Sequence, residues 1–398
     1  MSDPSQPGAA GAALPPLPPR RESALRARQR QGRLRVLAAA GFRQLVREQG
    51  LAEAYRATDV VVAANAEFTD QGTLLLQLGP TDPPIRLRDP QLDGLAAFSG
   101  GIGSDLALAI GTAASDGNRR GGAHLLVDLL AGERLEFSAG GEATPLQPRR
   151  DLHTWLSLDR IGYGRLLLHR AIVENGVVAV SSAEGLVRSA YGPLLGPFAN
   201  ALYSCGGADS IGLAMPGLTL LGPGSPVLVA GAIGWVTGSG SGHQPDPRRL
   251  PSGHARTPGA VAAVSVDLHE IEPGWLRACH FEGHGSALLV PIAAPIPLLN
   301  AGVAQQLAAD NDLLEAPVLD VAIPRRIKPS FGGVSYSALQ AGRIRVNGRE
   351  LSAAPSHSPR LAEAIGRELI DRLVDGRFPL RLPLLPLGRR PGLIPLDP

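Results

Sequence analysis

Four short stretches carry the residue types that could do chemistry. The first runs from Gly217 to Pro245 and holds no charged residue. In it the turn Gly222-Pro-Gly-Ser-Pro226 precedes an apolar run, Val227 to Val236, long enough for one buried strand. Thr237-Gly-Ser-Gly-Ser-Gly242 then opens onto His243. A strand feeding such a loop lets backbone N–H groups at Gly238, Gly240 and Gly242 approach an anion, with His243 as acid or base beside it. A flexible linker after a core strand has the same composition. The second stretch is Pro148-Arg149-Arg150-Asp151. Guanidinium groups fork onto carboxylate or phosphate, so Arg149 and Arg150 could hold a substrate anion; they could equally pair with acids at a strand end. Arg325-Arg326 allows the same two readings, and Asp82 with Arg86 reads as a structural ion pair.

The third stretch is Cys205-Gly206-Gly207. Cys205 is the better nucleophile candidate of the two cysteines, yet no basic neighbour in sequence lowers its pKa, and lone cysteines are mostly small buried groups. The fourth, His280-Phe-Glu-Gly-His284, would face both histidines toward one metal on a helix. Gly283 and Gly285 argue against a helix and no third ligand is fixed, so loop histidines with local hydrogen bonds are expected and no metal or cofactor is called for. Familiar phosphate and hydrolase motifs are missing: Lys328 is the one lysine, and Ser99-Gly-Gly-Ile-Gly103-Ser104 has the wrong spacing for a dinucleotide loop.

Composition bounds what positions these residues. Gly 49 and Pro 36 among 398 residues, spread through apolar segments, imply many turns and short strands. Aromatic content of 4% and a net charge of +2 argue against a nucleic-acid partner. Two cysteines suit a reducing compartment, the cytoplasm, and the first twenty residues lack the apolar core of a signal peptide. The uncharged and apolar runs are broken by Pro216, Pro223, Pro226, Pro291, Pro295 and Pro297, so no membrane span is expected.

Along the chain, residues 1–19 read as a disordered Pro/Ala-rich tail, 20–376 as one domain with an N-terminal helix, and 377–398 as a Pro/Leu-rich extension. Arg20 to Gly50 reads as a helix with Leu34, Leu37, Phe42 and Leu45 near one face. Strands are expected at Asp59–Ala63, Gly72–Gly79, Gly176–Val180, Ala260–Leu268 and Val318–Ile323. A short helix from Tyr336 leads to an Asn347-Gly348 hairpin, and Leu361, Ile365, Leu369 and Leu373 mark the clearest amphipathic helix. The fold class is α+β, with Gly-rich mixed β-sheets and few short helices.

Several collinear blocks resemble the homocysteine biosynthesis (sulfur-incorporation) family. They are Asp82-Pro-Pro-Ile85, Pro148-Arg-Arg-Asp-Leu152, Tyr191-Gly-Pro-Leu-Leu195 with Asn200 and Tyr203-Ser204, and Leu228 to Pro245. Later ones are Pro295 to Asn300, Val321 to Arg326 and Val334 to Leu339, so the likeness spans residues 55 to 375. The resemblance implies sulfur placed on a four-carbon, aspartate-derived aldehyde by cysteine chemistry, in methionine metabolism. It also implies a sulfur-donor or ferredoxin-like partner protein and leaves room for a homo-oligomer. The family's early cysteine falls near Asp70 and its second near Leu146, and neither position is Cys here. On this basis Asp70, Cys205 and His243 are the catalytic candidates, and Asp82, Arg149, Arg150, Tyr191, Asn200 and the three loop glycines the substrate contacts. Two functions remain: an active enzyme of this kind, or a non-catalytic paralogue that binds a small anionic metabolite or a partner protein.

Overall fold

The computed structural model describes residues 17–100, 105–113, 119–389 and 396. Its spine is a pair of long antiparallel strands, Val60–Thr69 and Gly285–Pro297, in register from Val60↔Pro297 to Thr69↔Leu288. Every residue of the second strand is buried, although it contains Pro291, Pro295 and Pro297. Proline has no N–H to give a ladder and is normally kept out of central strands. The three share one parity, so their nitrogens face one side. On that side the strand pairs only over Gly285–Leu289 and Ile292–Ala293, and all three prolines fall outside both segments.

Around this spine the largest sheet runs Val36–Ala38, Val60–Thr69, Gly285–Pro297, Pro226–Val229, Ala232–Ser239, Val261–Asp267, Ile161–Val173, Gly72–Leu78, Asp105–Ala109 and Phe98–Ser99, with Arg277–Phe281 added beside Gly285–Pro297. A six-stranded sheet, Ser330–Ser335, Glu315–Asp320, Val178–Val180, Asn200–Tyr203, Arg349–Pro355 and Arg343–Val346, has its own core around Tyr203, Leu213 and Tyr336. It joins the spine where Glu67 bridges His357 and Ser358 N donates to Ala66 O at 2.8 Å. A four-stranded sheet and the separate hairpin Gly185–Ser189/Gly192–Gly196 complete the strands. Parallel and antiparallel pairs mix, and the fold is α+β as expected. The amphipathic helix Pro359–Val374 buries Ile365, Leu369 and Leu373, and the Asn347-Gly348 hairpin is present.

Three expectations are corrected. Val227 to Val236 is not one strand but a hairpin, Pro226–Val229 and Ala232–Ser239. It turns on Ala230 and Gly231, with φ of 46° and 85°. Pro226–Val229 is wholly buried and the half-buried positions that follow the turn are the apolar Ile233 and Trp235, so the apolar run conceals the break. Arg20 to Gly50 is two helices, Glu22–Arg30 and Ala39–Gln49, with the strand Val36–Ala38 between them pairing parallel to Val60–Val62. Leu34 packs with Leu369 while Phe42 enters the main core, two destinations that one straight helix cannot serve. The tail reading fails for its last residues: Leu17 is buried and Pro18 O accepts from the Tyr55 hydroxyl at 2.8 Å. At the other end Phe378 and Leu380 are buried. The dinucleotide-like loop lies largely outside the described residues. No helix among the described residues is long and apolar enough to cross a membrane.

Candidate active site

Against the Asn65–Thr69 end of the spine lies a cavity of about 160 Å³ where five ionisable side chains meet: Glu67, Asp70, Arg170, Tyr191 and His284. Local structure aims each of them. Asn65 and Glu67 are two apart on one strand and so share a face. Arg170 sits where the register of Ile161–Val173 against Val261–Asp267 shifts, between Leu168 and Ile172. Such bulges re-aim side chains. Tyr191 lies at the turn of the separate hairpin, pinned by Ser356 Oγ donating to its carbonyl at 2.6 Å. His284 occupies the turn between Arg277–Phe281 and Gly285–Pro297, with Gly283 and Gly285 at φ of 75° and 124°. This is the loop setting its glycines indicated.

Burial pushes the Glu67 carboxyl up to about 7, against a hydrogen bond from Asn65 and the charge of Arg170, both of which favour the carboxylate. Burial also raises the Tyr191 hydroxyl, with Arg170 pulling it down and Glu67 and Asp70 pushing it up. Asp70 Oδ2 lies 3.2 Å from His284 Nε2. Arg170 Nη1 donates to Ser241 O at 3.1 Å, and among the described residues it pairs with no carboxylate. The cavity thus offers a guanidinium, a carboxyl poised near neutrality and a carboxylate–imidazole pair.

Asp70 also lines an open outer groove of about 430 Å³, walled by Thr73, His169, Ser239, Gly240 and Ser241. The glycine loop therefore stands beside the cavity, with several of its N–H groups already engaged. Gly240 N donates to Val261 O, Ser241 N to His169 O and His243 N to Gly240 O. Its glycines make room instead. A Cβ on Gly240 would lie 2.5 Å from His169 O, and one on Gly242 would lie 2.7 Å from Arg170 Nη1. Gly238, at φ 152°, sits at the bulge in the Ala232–Ser239 strand.

The other sequence candidates are not gathered at this cavity. His243 accepts from Val261 N at 2.9 Å and lines a different cavity with Asp246 and Arg249. Arg149 Nε donates to Asp151 O at 2.8 Å, and Arg149 and Arg150 lie at the four-stranded sheet. Arg86 pairs with Glu142 rather than Asp82, which is exposed in a turn. Asn200 clasps the hairpin, accepting from Leu195 N and donating to Pro193 O. Leu146 is exposed. Cys205 is 3% exposed beneath the cavity wall, where a Cβ on Gly176 would come within 2.4 Å of its Cβ. Burial raises its thiol pKa. Burial takes Cys279 up to about 11. Neither cysteine lines the cavity. His280 and His284 face different pockets, and no metal-holding cluster of three or more His, Cys, Asp or Glu residues occurs among the described residues.

A family model for "Homocysteine biosynthesis enzyme, sulfur-incorporation" matches residues 34–380. The chain belongs to this family. It is similar to an L-aspartate semialdehyde sulfurtransferase of Methanosarcina acetivorans, 29% identical over 359 residues, covering 90% of this chain and 70% of that protein. It is also similar to one of Methanocaldococcus jannaschii, 26% identical over 376 residues, covering 90% and 72%. An uncharacterized protein of Methanothermobacter thermautotrophicus is 23% identical over 330 residues, covering 79% and 70%. No solved structure matches significantly. In this family member Glu67 and Arg170 are the residues that sequence reading passed over. Their signal was faint: Asn65 and Glu67 are polar intrusions in an apolar strand, and Arg170 follows three leucines and a histidine.

Proposed function

We propose that this chain adds sulfur to an aspartate-semialdehyde-type substrate, toward homocysteine, in the Glu67–Arg170 cavity. The observation that carries this reading is Arg170, a guanidinium without a carboxylate partner among the described residues, lining a small cavity opposite a carboxyl near neutrality. Arg170 holds the substrate carboxylate by its fork. Asp70 faces the ammonium group. Glu67, held by burial at about 7 and so partly protonated near neutral pH, donates to the aldehyde oxygen and polarises the carbon toward a nucleophile. Tyr191 packs against the chain of the substrate and excludes water. The two free cysteines fit a reducing cytoplasm.

One observation favours a second reading, a non-catalytic binder of the same metabolite: no thiol lines the cavity. Homocysteine formation from aspartate semialdehyde, sulfide and a dithiol reductant separates the two, measured beside thermal stabilisation by the aldehyde alone. Product expected from the wild type and lost in Arg170→Gln supports the enzyme. Stabilisation without product leaves the binder, and neither signal ends both.

A further inference from the structure

We infer that the Asp70–His284 pair, and not a protein thiol, brings sulfur into reaction at this site, by taking a proton from hydrogen sulfide. The inference rests on the sulfur-addition reading above and names its base. The chain has two cysteines, and neither reaches the reacting space. Cys205 is walled off by Gly176, whose missing side chain is what allows the two backbones to close together. Burial and the charge of Glu67 both push its thiol up, and its hydrogen-bonding neighbours are Ser210, Tyr336 and the Gly207 backbone. Cys279 lies on the Arg277–Phe281 strand without lining the cavity. A carrier thiol must be an accessible thiolate, and neither one qualifies.

What the cavity does present toward solvent is a carboxylate–imidazole pair. The Asp70 and His284 side chains are 40% and 33% exposed, and Asp70 borders both the inner cavity and the outer groove. With Nε2–H donated to Asp70, the His284 ring is fixed in the tautomer whose Nδ1 can accept a proton. Asp70 borders the open groove as well as the inner cavity, so a molecule as small as hydrogen sulfide can reach the pair from outside while the inner cavity holds the aldehyde.

The step balances without an oxidant or reductant. Hydrogen sulfide gives a proton to His284 Nδ1 as a sulfur lone pair forms the C–S bond to the aldehyde carbon. The C=O π pair moves to oxygen, which takes the proton of the Glu67 carboxyl. Imidazolium and Glu67 carboxylate then return to their starting states by exchange with solvent. The product is a hydroxy-thiol adduct at the oxidation level of the aldehyde. Loss of water and a two-electron reduction must follow before a thiol is reached, so a reductive step consumes this product.

The test uses the full chain, aspartate semialdehyde labelled at the aldehyde carbon, and sodium hydrosulfide, with adduct formation followed by carbon NMR. A Cys205→Ser/Cys279→Ser chain should match the wild-type rate within about twofold. Asp70→Asn and His284→Gln should each lower it about a hundredfold, the usual scale of a lost general base. Thermal stabilisation by the aldehyde should persist in His284→Gln. Loss of addition in the cysteine-free chain overturns the inference. So does addition that proceeds only after a persulfide donor has left one extra sulfur on Cys205 or Cys279, read by intact mass on the wild type. That measurement decides the matter if the double variant does not fold. Absence of any aldehyde-induced stabilisation in the wild type instead overturns the underlying function, which is a separate result.

Discussion

Asn65 Nδ2 donates to Glu67 Oε1 at 2.5 Å, two residues along one strand, where that strand runs into the cavity. The bond favours the carboxylate, yet burial prevails and holds Glu67 up at about 7 against an ordinary value of 4.5. The sign of the linkage follows. Below 4.5 both folded and unfolded chains carry the proton, so nothing is lost. As pH rises from 4.5 to about 7 the unfolded carboxyl ionises first and the folded state loses stability; above 7 the loss is complete. That interval corresponds to about 3 kcal/mol. Glu67→Gln should therefore be more stable than wild type by about this amount near pH 8 and show no gain near pH 4.5. Urea denaturation at both pH values checks it, and an equal gain at both would mean that ionisation is not the cause.

Arg170 is the one cationic side chain that the bulge directs into the cavity. A hydrogen bond to a charged group contributes about 1.5–3 kcal/mol, so Arg170→Gln should weaken aldehyde binding about 10- to 100-fold. Arg170→Lys keeps the charge without the fork and should recover only part of it. Isothermal calorimetry reads both, and unchanged affinity in Arg170→Gln would move the carboxylate elsewhere.

Several elements were legible because local pattern and burial agree. Leu361, Ile365, Leu369 and Leu373 fall on one helical face, and the Asn347-Gly348 turn fixes its hairpin. The break at Ala230-Gly231 was not legible, because the residues on both sides of it are apolar: Pro226–Val229 is wholly buried, and the half-buried positions at the start of the second arm are Ile233 and Trp235. Of the site, Asp70 and Tyr191 were named in advance, on family likeness. Glu67 and Arg170 meet across strands that lie far apart in the chain, and only the register shift after Leu168 turns Arg170 inward. No sequence spacing encodes that meeting. The glycine loop is partly hidden for a related reason: its composition does not reveal that Gly240 N and Ser241 N are engaged by Val261 and His169.

Gly176 is a test of the wall between Cys205 and the cavity. A Cβ there would lie 2.4 Å from Cys205 Cβ and 3.1 Å from its backbone nitrogen. Overpacking of this kind costs about 1–3 kcal/mol. Gly176→Ala should lose that much stability in urea, and Cys205→Ala should not rescue it, because the clash is with Cβ and not with sulfur. Full rescue by Cys205→Ala would place the strain on the thiol and reopen its access to the cavity.

Glu174 follows directly on the strand that carries Arg170 and is fully buried. It accepts from Gly217 N at 2.6 Å and Ala260 N at 2.9 Å, and Arg249 Nη2 reaches its Oε2 at 3.3 Å. One carboxylate thus ties the start of the uncharged segment to the Val261–Asp267 strand and to the loop before it. Removing one partner of a buried pair leaves the other uncompensated, which typically costs about 3–5 kcal/mol. Glu174→Gln keeps the shape and the backbone bonds in part, so its loss should fall toward the lower end of that range. Arg249→Gln should be equally harmful because it strands a buried carboxylate. The double variant should lose less than the sum of the two, since each change alone produces the same unpaired charge. Strict additivity in urea denaturation would mean that the Glu174–Arg249 pair contributes little and that the two backbone N–H groups alone hold this corner of the cavity wall.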